Sequence, residues 1–406
     1  MFTVEQARKT FAESVRCQQL TEAVSLAAAL QRVAAVDVAS EIRVPPDANS
    51  AMDGFAVHSA DLQDGQTTLP ISQRIAAGQQ SEDLEPGTAA RIFTGGMMPG
   101  NADAVVIQEN CEYAESGDEV KVVKPVTAGA NVRPAGQDIA IGAQIVKRGK
   151  RLSAVDLGLL ASIGESRVTV YAPLKVAIFS TGDELVEPGQ ILQAGQIYNS
   201  NRTMLMALCQ QLGFDPIDCG IVEDTLEATK AALEAAGQQA DIILTSGGVS
   251  VGEEDHIKPA VEALGELNHW KVQMKPGKPV VFGCVQGTPI MGLPGNPVSS
   301  YVVFQLLAVP VLRTLQGEVV APLQSHRVEA AFSKAKVSRE EYIRVRLNVD
   351  SGSTEGLHAS AELFDNQSSG VLSSLTWADG LVRQRIDQTI NSGDLVEFLP
   401  LTAGML

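Results

Sequence analysis

An apolar run, Asp241-Ile242-Ile243-Leu244, leads into Thr245-Ser246-Gly247-Gly248-Val249-Ser250-Val251-Gly252-Glu253-Glu254-Asp255, and a helix-compatible segment follows from Asp255 to about Leu267. Strand, glycine loop and helix in that order form a phosphate-holding unit of α/β proteins, because bare backbone amides and a helix N-terminus face the anion. The unit does not stand alone. Between Pro173 and Leu315, strands Lys175–Phe179, Ile217–Val222 and Asp241–Leu244 alternate with helices near Arg202–Gln211, Leu226–Ala236 and Asp255–Leu267. The alternation predicts a mostly parallel sheet covered on both faces, hence a three-layer α/β domain. A hairpin-like pair, Val280–Cys284 with Pro289–Gly292, follows, and then a long apolar helix opened by Asn296-Pro297.

The 406 residues exceed what one core serves, so two to four domains are expected. Upstream, helices are predicted at about Val4–Val15, with a Thr3/Gln6 capping box, and near Ser25–Ala35. From about Ile42 to Asp138 short β-branched runs alternate with turns, which predicts a β-rich unit. A helix near Val155–Ile163, capped by Ser153, restores α character and is expected to pack on the N-terminal pair, making the β zone an insertion. The last zone returns to strands at Tyr342–Val349, Gly380–Ile386 and Leu395–Leu399. The expected division is 1–41 with 139–172 as a split helical/linker domain, 42–138 as a β-rich insertion domain, 173–318 as the α/β domain and 319–406 as a C-terminal β domain. The fold class is multidomain α+β.

Net charge is −17 and aromatics are 4% of the chain, which argues against nucleic acid and anionic membrane as partners. The longest apolar stretch, around Tyr301 to Leu312, reads as too short to span a bilayer and contains Gln305 and Pro310. Five scattered cysteines without a C-x-x-C predict neither disulfide framework nor zinc knuckle. With an N-terminus unlike a secretory signal, this points to the cytoplasm.

Ligands of doubly wound sheets bind beyond the carboxyl ends of the strands. Three strand ends there carry carboxylates: Ser180-Thr181-Gly182-Asp183-Glu184, Glu223-Asp224-Thr225 and the loop ending in Asp255. Acidic residues also cap helices, yet three such ends beside a glycine loop favour a site that holds Mg²⁺ with phosphate. Lys271, Lys275 and Lys278 would offset the acidic rim, and Pro276-Gly277 turns the chain between them. Gly295-Asn296-Pro297, with Ser299 in the first helical turn, offers a second anion-ready terminus, or an ordinary cap. Asp53-Gly54 and Phe93-Thr94-Gly95-Gly96 read by themselves as ordinary turns. Gly248-Val249-Ser250-Val251-Gly252 also fits a serine-hydrolase elbow, but no later histidine is well placed to serve Ser250.

Taken in order, these segments resemble one family. Pro45-Pro46-Asp47, Asn49 through Gly54, Phe93 through Gly96, Ser180 through Leu185, Thr245 through Gly252, Lys275 through Pro279 and Gly292 through Ser299 are similar to the motifs of molybdopterin molybdenumtransferases, whose catalytic domain also occurs in the scaffold protein gephyrin. The resemblance implies a molybdopterin-binding α/β domain and insertion of molybdenum from molybdate into adenylylated molybdopterin, with AMP released and molybdenum cofactor formed. It implies a homodimer whose cleft is shared between the α/β domain and the partner's insertion, bringing Asp53 and Thr94 to the rim. It places functional roles on Glu184, Asp224, Asp255, Lys271, Lys275 and Ser299. Gly247, Gly248, Ser250, Lys278 and Pro294 then join Thr94 among the substrate-binding positions, with Asp53, Glu184, Asp224 and Asp255 catalytic. Mg²⁺ on Asp224, Asp255 and Glu184 is the expected cofactor, and a molybdopterin adenylyltransferase is an expected partner. A non-catalytic pterin-binding scaffold and a Ser250 hydrolase are the alternatives.

Overall fold

The computed structural model describes residues 1–62, 66–113, 117–249, 256–320, 322–350 and 358–401. Four packed units emerge. The first joins both flanks of the β zone: strand Thr21–Ser25 pairs antiparallel with Arg167–Tyr171, and Val38–Ala39 pairs with Gln144–Val146. Ala29, Ala34, Val146, Leu152, Leu160, Val168 and Val170 share one core there, under helix Ala154–Ser162 with its Ser153 cap.

The expected helix over Ser25–Ala35 does not form. Only the 3-10 turn Leu26–Ala28 is helical, and Val33 and Ala34 bridge to Arg151 and Val170 instead. Local helical spacing yields because both flanks compete for the same strand edges, a tertiary gain larger than propensity. The expected N-terminal helix pair is therefore also absent. Helix Val4–Glu13, with the Thr3/Gln6 capping box intact, packs on the α/β core, where Phe11 stacks on Phe282 at 4.5 Å.

The inserted zone is a six-stranded sheet in the order Ala104–Ile107, Gly54–Val57, Ala89–Ile92, Thr67–Ile75, Glu119–Val122, Cys111–Tyr113. The C-terminal unit is a closed five-stranded barrel. Glu340–Asp350 pairs with both His358–Leu363 and Gly380–Gln384, and Leu395–Pro400 and His326–Ala330 complete the ring.

The α/β unit positions the site. Its strands are β1 (Lys175–Thr181), β2 (Asp215–Val222), β3 (Ile242–Ser246), β4 (Gly265–Lys271), β5 (Pro279–Val285) and β6 (Thr288–Leu293). Its helices are α1 (Ser200–Gln211), α2 (Leu226–Gly237), α3 (Ile257–Leu264) and α4 (Pro297–Val303). Sheet order is β2-β1-β3-β6-β5-β4, parallel from β2 to β6, with antiparallel β5 and β4 at one edge. The predicted hairpin is β5–β6, turned by Gln286 at φ 48° and Gly287 at φ 92°. The helix expected to reach Leu267 stops at Leu264. Gly265 opens β4 there, and the chain gains a full edge pairing with β5. Pro297 to Leu315 runs helically for 19 residues, apolar enough in length and composition to cross a membrane, but 83% of it is buried as core. All five cysteines are free.

Candidate functional site

Ser180, Ser246 and Leu293 lie in register on the neighbouring strands β1, β3 and β6. The turns that follow, Thr181-Gly182, Gly247-Gly248 and Pro294-Gly295, therefore leave the sheet at one level. Between β1 and β3 the order of connection reverses, and crevices at such a switch point bind ligands. A cleft of about 730 Å³ lies there. Glu184, Asp224, Gly247, Gly248 and Pro294 line it, five of the residues singled out in the sequence.

Local chemistry explains these turns. Gly247 has φ +94°, and a Cβ on it would stand 2.5 Å from the Thr181 carbonyl, so only glycine brings the β3 exit this close to β1. A Cβ on Gly182 would meet the Glu184 carboxylate at 2.7 Å, so Glu184 folds back over its own turn. Thr225 caps α2, accepting from Ala228 N at 3.3 Å, and so fixes the corner carrying Asp224. Thr181 Oγ1 and Asn199 Nδ2 are buried in the cleft wall without a hydrogen-bond partner among the described residues. Buried polar atoms left in this state are uncommon away from ligand sites.

Ser250, Glu253, Glu254 and Asp255 lie outside the described residues. Among the described residues no three metal-ligating side chains gather. Glu184 and Asp224 nevertheless supply hard oxygen donors to one cleft, a set that suits Mg²⁺ sharing a substrate phosphate.

The remaining sequence-predicted residues stand apart from the cleft lining. Asp53 and Thr94 meet each other in the insertion. The Thr94 N–H and Oγ1–H donate to Asp53 Oδ1 at 2.7 and 2.8 Å and hold that exposed carboxyl below its ordinary range. Gly54, next to Asp53, is obligatory, since a Cβ there would lie 2.0 Å from the Val106 carbonyl. Arg91 donates to the Gly54 carbonyl at 2.9 Å and lies over the Phe55 and Phe93 rings, bracing both turns. Lys275 pairs with Glu341 of the barrel at 3.1 Å, Lys278 is exposed, Lys271 ends β4 half-buried, and Ser299 is buried in the first turn of α4.

Several lining residues had no motif to betray them. Tyr198 ends the short strand Ile197–Tyr198, Asn199 caps α1 and Asn201 lies in its first turn, while Gly370 and Leu372 reach in from the barrel, where Val298 N–H donates to the Ser369 carbonyl at 3.0 Å. Asn199 ahead of an amphipathic segment carried an N-cap signal. The barrel contribution is a long-range contact that no local pattern encodes.

A doubly wound α/β domain with an acid-rimmed switch-point cleft, carried among three further units, defines a multidomain protein with a ligand-binding crevice. Comparisons with known proteins narrow it. The family profile described as "MoeA N-terminal region (domain I and II)" matches residues 2–164, that of a "Probable molybdopterin binding domain" matches 177–314, and "MoeA C-terminal region (domain IV)" matches 327–401. A Haemophilus influenzae protein named molybdopterin molybdenumtransferase is 42% identical over 320 residues, 78% of each chain. A Nostoc protein of the same name is 37% identical over 400 residues, 95% of this chain and 89% of its own. The crystal structure of the molybdopterin biosynthesis MoeA protein from Pyrococcus horikoshii superposes with TM-score 0.79 at 32% identity, covering 99% of both chains. The chain belongs to the molybdopterin molybdenumtransferase family, enzymes of molybdenum cofactor biosynthesis.

Proposed function

We propose that this protein inserts molybdenum from molybdate into adenylylated molybdopterin, releasing AMP and forming molybdenum cofactor. The observation that carries the reading is the cleft itself, where Glu184, Asp224 and the Gly247-Gly248 turn line one crevice at the β1/β3 switch point. The Gly248 and Gly295 N–H groups would bind the phosphates, since the Gly247 N–H donates to the Leu293 carbonyl at 3.1 Å and Pro294 has none. Lys271, Lys275 and Lys278 would add positive charge for the pterin phosphate and adenylate, with Ser299 and Ser250 as further polar contacts. Glu184 and Asp224, with Asp255, would hold Mg²⁺, which when bound neutralises charge on the phosphoanhydride. The anhydride P–O bond breaks, water supplies the entering oxygen, and AMP leaves. Two Mo–S bonds form as two molybdate oxygens leave as water, taking up the two thiol protons and two from solvent, and the pterin remains in the cleft throughout.

The same reading takes the protein as a cytoplasmic homodimer divided at residues 42, 139, 173 and 319. Asp53 and Thr94 of one protomer then complete the partner's cleft. Two features support this. The Asp53–Thr94 pair is built with care yet lies away from its own cleft, and the cleft rim offers exposed Ile197 and Tyr198 to a neighbour. A molybdopterin adenylyltransferase would hand over the adenylylated substrate. The test is direct: purified protein receives adenylylated molybdopterin, Mg²⁺ and molybdate, and AMP is measured together with cofactor. Stoichiometric AMP and cofactor support the reading. Tight pterin binding without AMP release would instead favour a scaffold.

A further inference from the structure

Asn201 occupies the second position of α1, and it lines the cleft. Its Nδ2 donates to Ser246 Oγ at 2.9 Å and to the Gly295 carbonyl at 2.6 Å. A carbonyl only accepts, so the contact with Gly295 fixes which end of the carboxamide is the nitrogen. Ser246 closes β3 and Gly295 follows β6, so one side chain joins the two glycine turns just beyond the last rung of the sheet. The turns lie in contact, since a Cβ on Gly295 would stand 3.7 Å from Gly247 Cα.

The residue is rigidly mounted. Asn199 Oδ1 accepts from Arg202 N at 3.2 Å and from Ser180 Oγ at 3.3 Å, anchoring the helix start to β1. Arg202 Nη2 holds Glu187 at 2.6 Å, and its Nε holds Asp218 of β2 at 3.1 Å. Asn201 is 9% exposed, and its Oδ1 has no partner among the described residues. An unmade buried hydrogen bond of this kind is a cost that a smaller residue would avoid.

We infer that Asn201 is a positioning residue for the reaction proposed above, on which this inference rests. Its carboxamide sets the spacing of the β3 and β6 exit turns so that both present backbone amides to one phosphate-bearing ligand. It touches no reacting atom. Its loss should weaken ligand binding more than it slows the bound substrate.

The test uses Asn201→Ala and the near-isosteric Asn201→Asp, which sets an acceptor against the Gly295 carbonyl. Affinity for AMP is read by calorimetry, and KM and kcat for adenylylated molybdopterin are read from AMP release, with circular dichroism and melting as controls. The expected result is a rise of at least about tenfold in KM and in the Kd for AMP, with Asn201→Asp the weaker binder and kcat nearly kept. Wild-type KM and AMP affinity in folded variants would overturn the inference, as would a fall in kcat alone. If the wild type bound AMP but released none from the substrate, the reaction would be wrongly assigned, while the contrast in AMP affinity would still decide the role of Asn201. Should Asn201→Asp fail to fold, Asn201→Ala carries the same comparison.

Discussion

Asp53 shows how one turn prepares one charge. The Thr94 N–H and hydroxyl both donate to it, and its pKa is lowered, first by the backbone bond and then by the hydroxyl. A carboxyl depressed in the folded state contributes stability above its unfolded pKa, and the contribution is lost as pH falls through the lower folded value. Thr94→Val removes the hydroxyl bond, so the Asp53 titration followed by carboxyl NMR should move up towards the ordinary range; an unmoved titration would deny Thr94 that role. Gly247 makes the complementary point for backbone. With φ +94° and the Thr181 carbonyl 2.5 Å from any Cβ, Gly247→Ala should lower stability by roughly 1–3 kcal/mol in urea unfolding and weaken AMP binding as well. The glycine turns and the Glu184 and Asp224 carboxylates were legible in sequence because glycines or acids follow directly on apolar strand runs. Asn201 and Leu372 were not, because their meaning comes from loops 45 or more positions distant along the chain.

Elements with a strong period and clear ends were readable. Strands β1 to β3, helices α1 and α2, the β5–β6 hairpin and the Thr3 and Ser153 caps follow from apolar spacing and turn chemistry. Ser25–Ala35 and the end of α3 were misread where strand edges compete for a helix-compatible stretch. Helix Val4–Glu13 was readable as an element but not in its docking. Phe11 is fully buried against Phe282, and Arg8 Nη1 donates to the Leu306 carbonyl at 2.8 Å within the π-helical segment Phe304–Ala308. Phe11→Ala should therefore cost about 3–5 kcal/mol in chemical unfolding of the α/β unit, a core-sized loss from an N-terminal helix. A loss below about 1 kcal/mol would mean the helix is peripheral. The segment after Phe364 is held from inside the barrel. Arg344, 1% exposed, donates Nη2 to the Asn366 and Ser368 carbonyls at 3.1 and 3.0 Å, and Gln367 Nε2 donates back to the Arg344 carbonyl at 2.9 Å. This clamp delivers Gly370 and Leu372 to the cleft.

The four units form one arrangement in which the barrel, the α/β sheet and the N-terminal helix share contacts. Glu5 reaches Arg383 at 2.9 Å, Arg383 reaches Glu340 at 2.8 Å, and Met274–Lys275 adds a parallel rung to the barrel strand Glu340–Asp350. The insertion stands apart with its own sheet and its prepared Asp53. The proposed homodimer with a shared site predicts complementation: Asp53→Ala and Asp224→Asn proteins, each expected to be inactive alone, should regain about a quarter of the sites when subunits exchange at random, because half the dimers would be mixed and each would have one intact cleft. No recovery after verified exchange would put both residues in a single protomer's site. The account depends most on the switch-point cleft being where AMP is released. The decisive measurement is AMP release by purified, folded Asp224→Asn given adenylylated molybdopterin, Mg²⁺ and molybdate. A fall of at least about 100-fold, with substrate still bound, is the predicted result. Release at the wild-type rate would contradict it and move the chemistry elsewhere on the molecule.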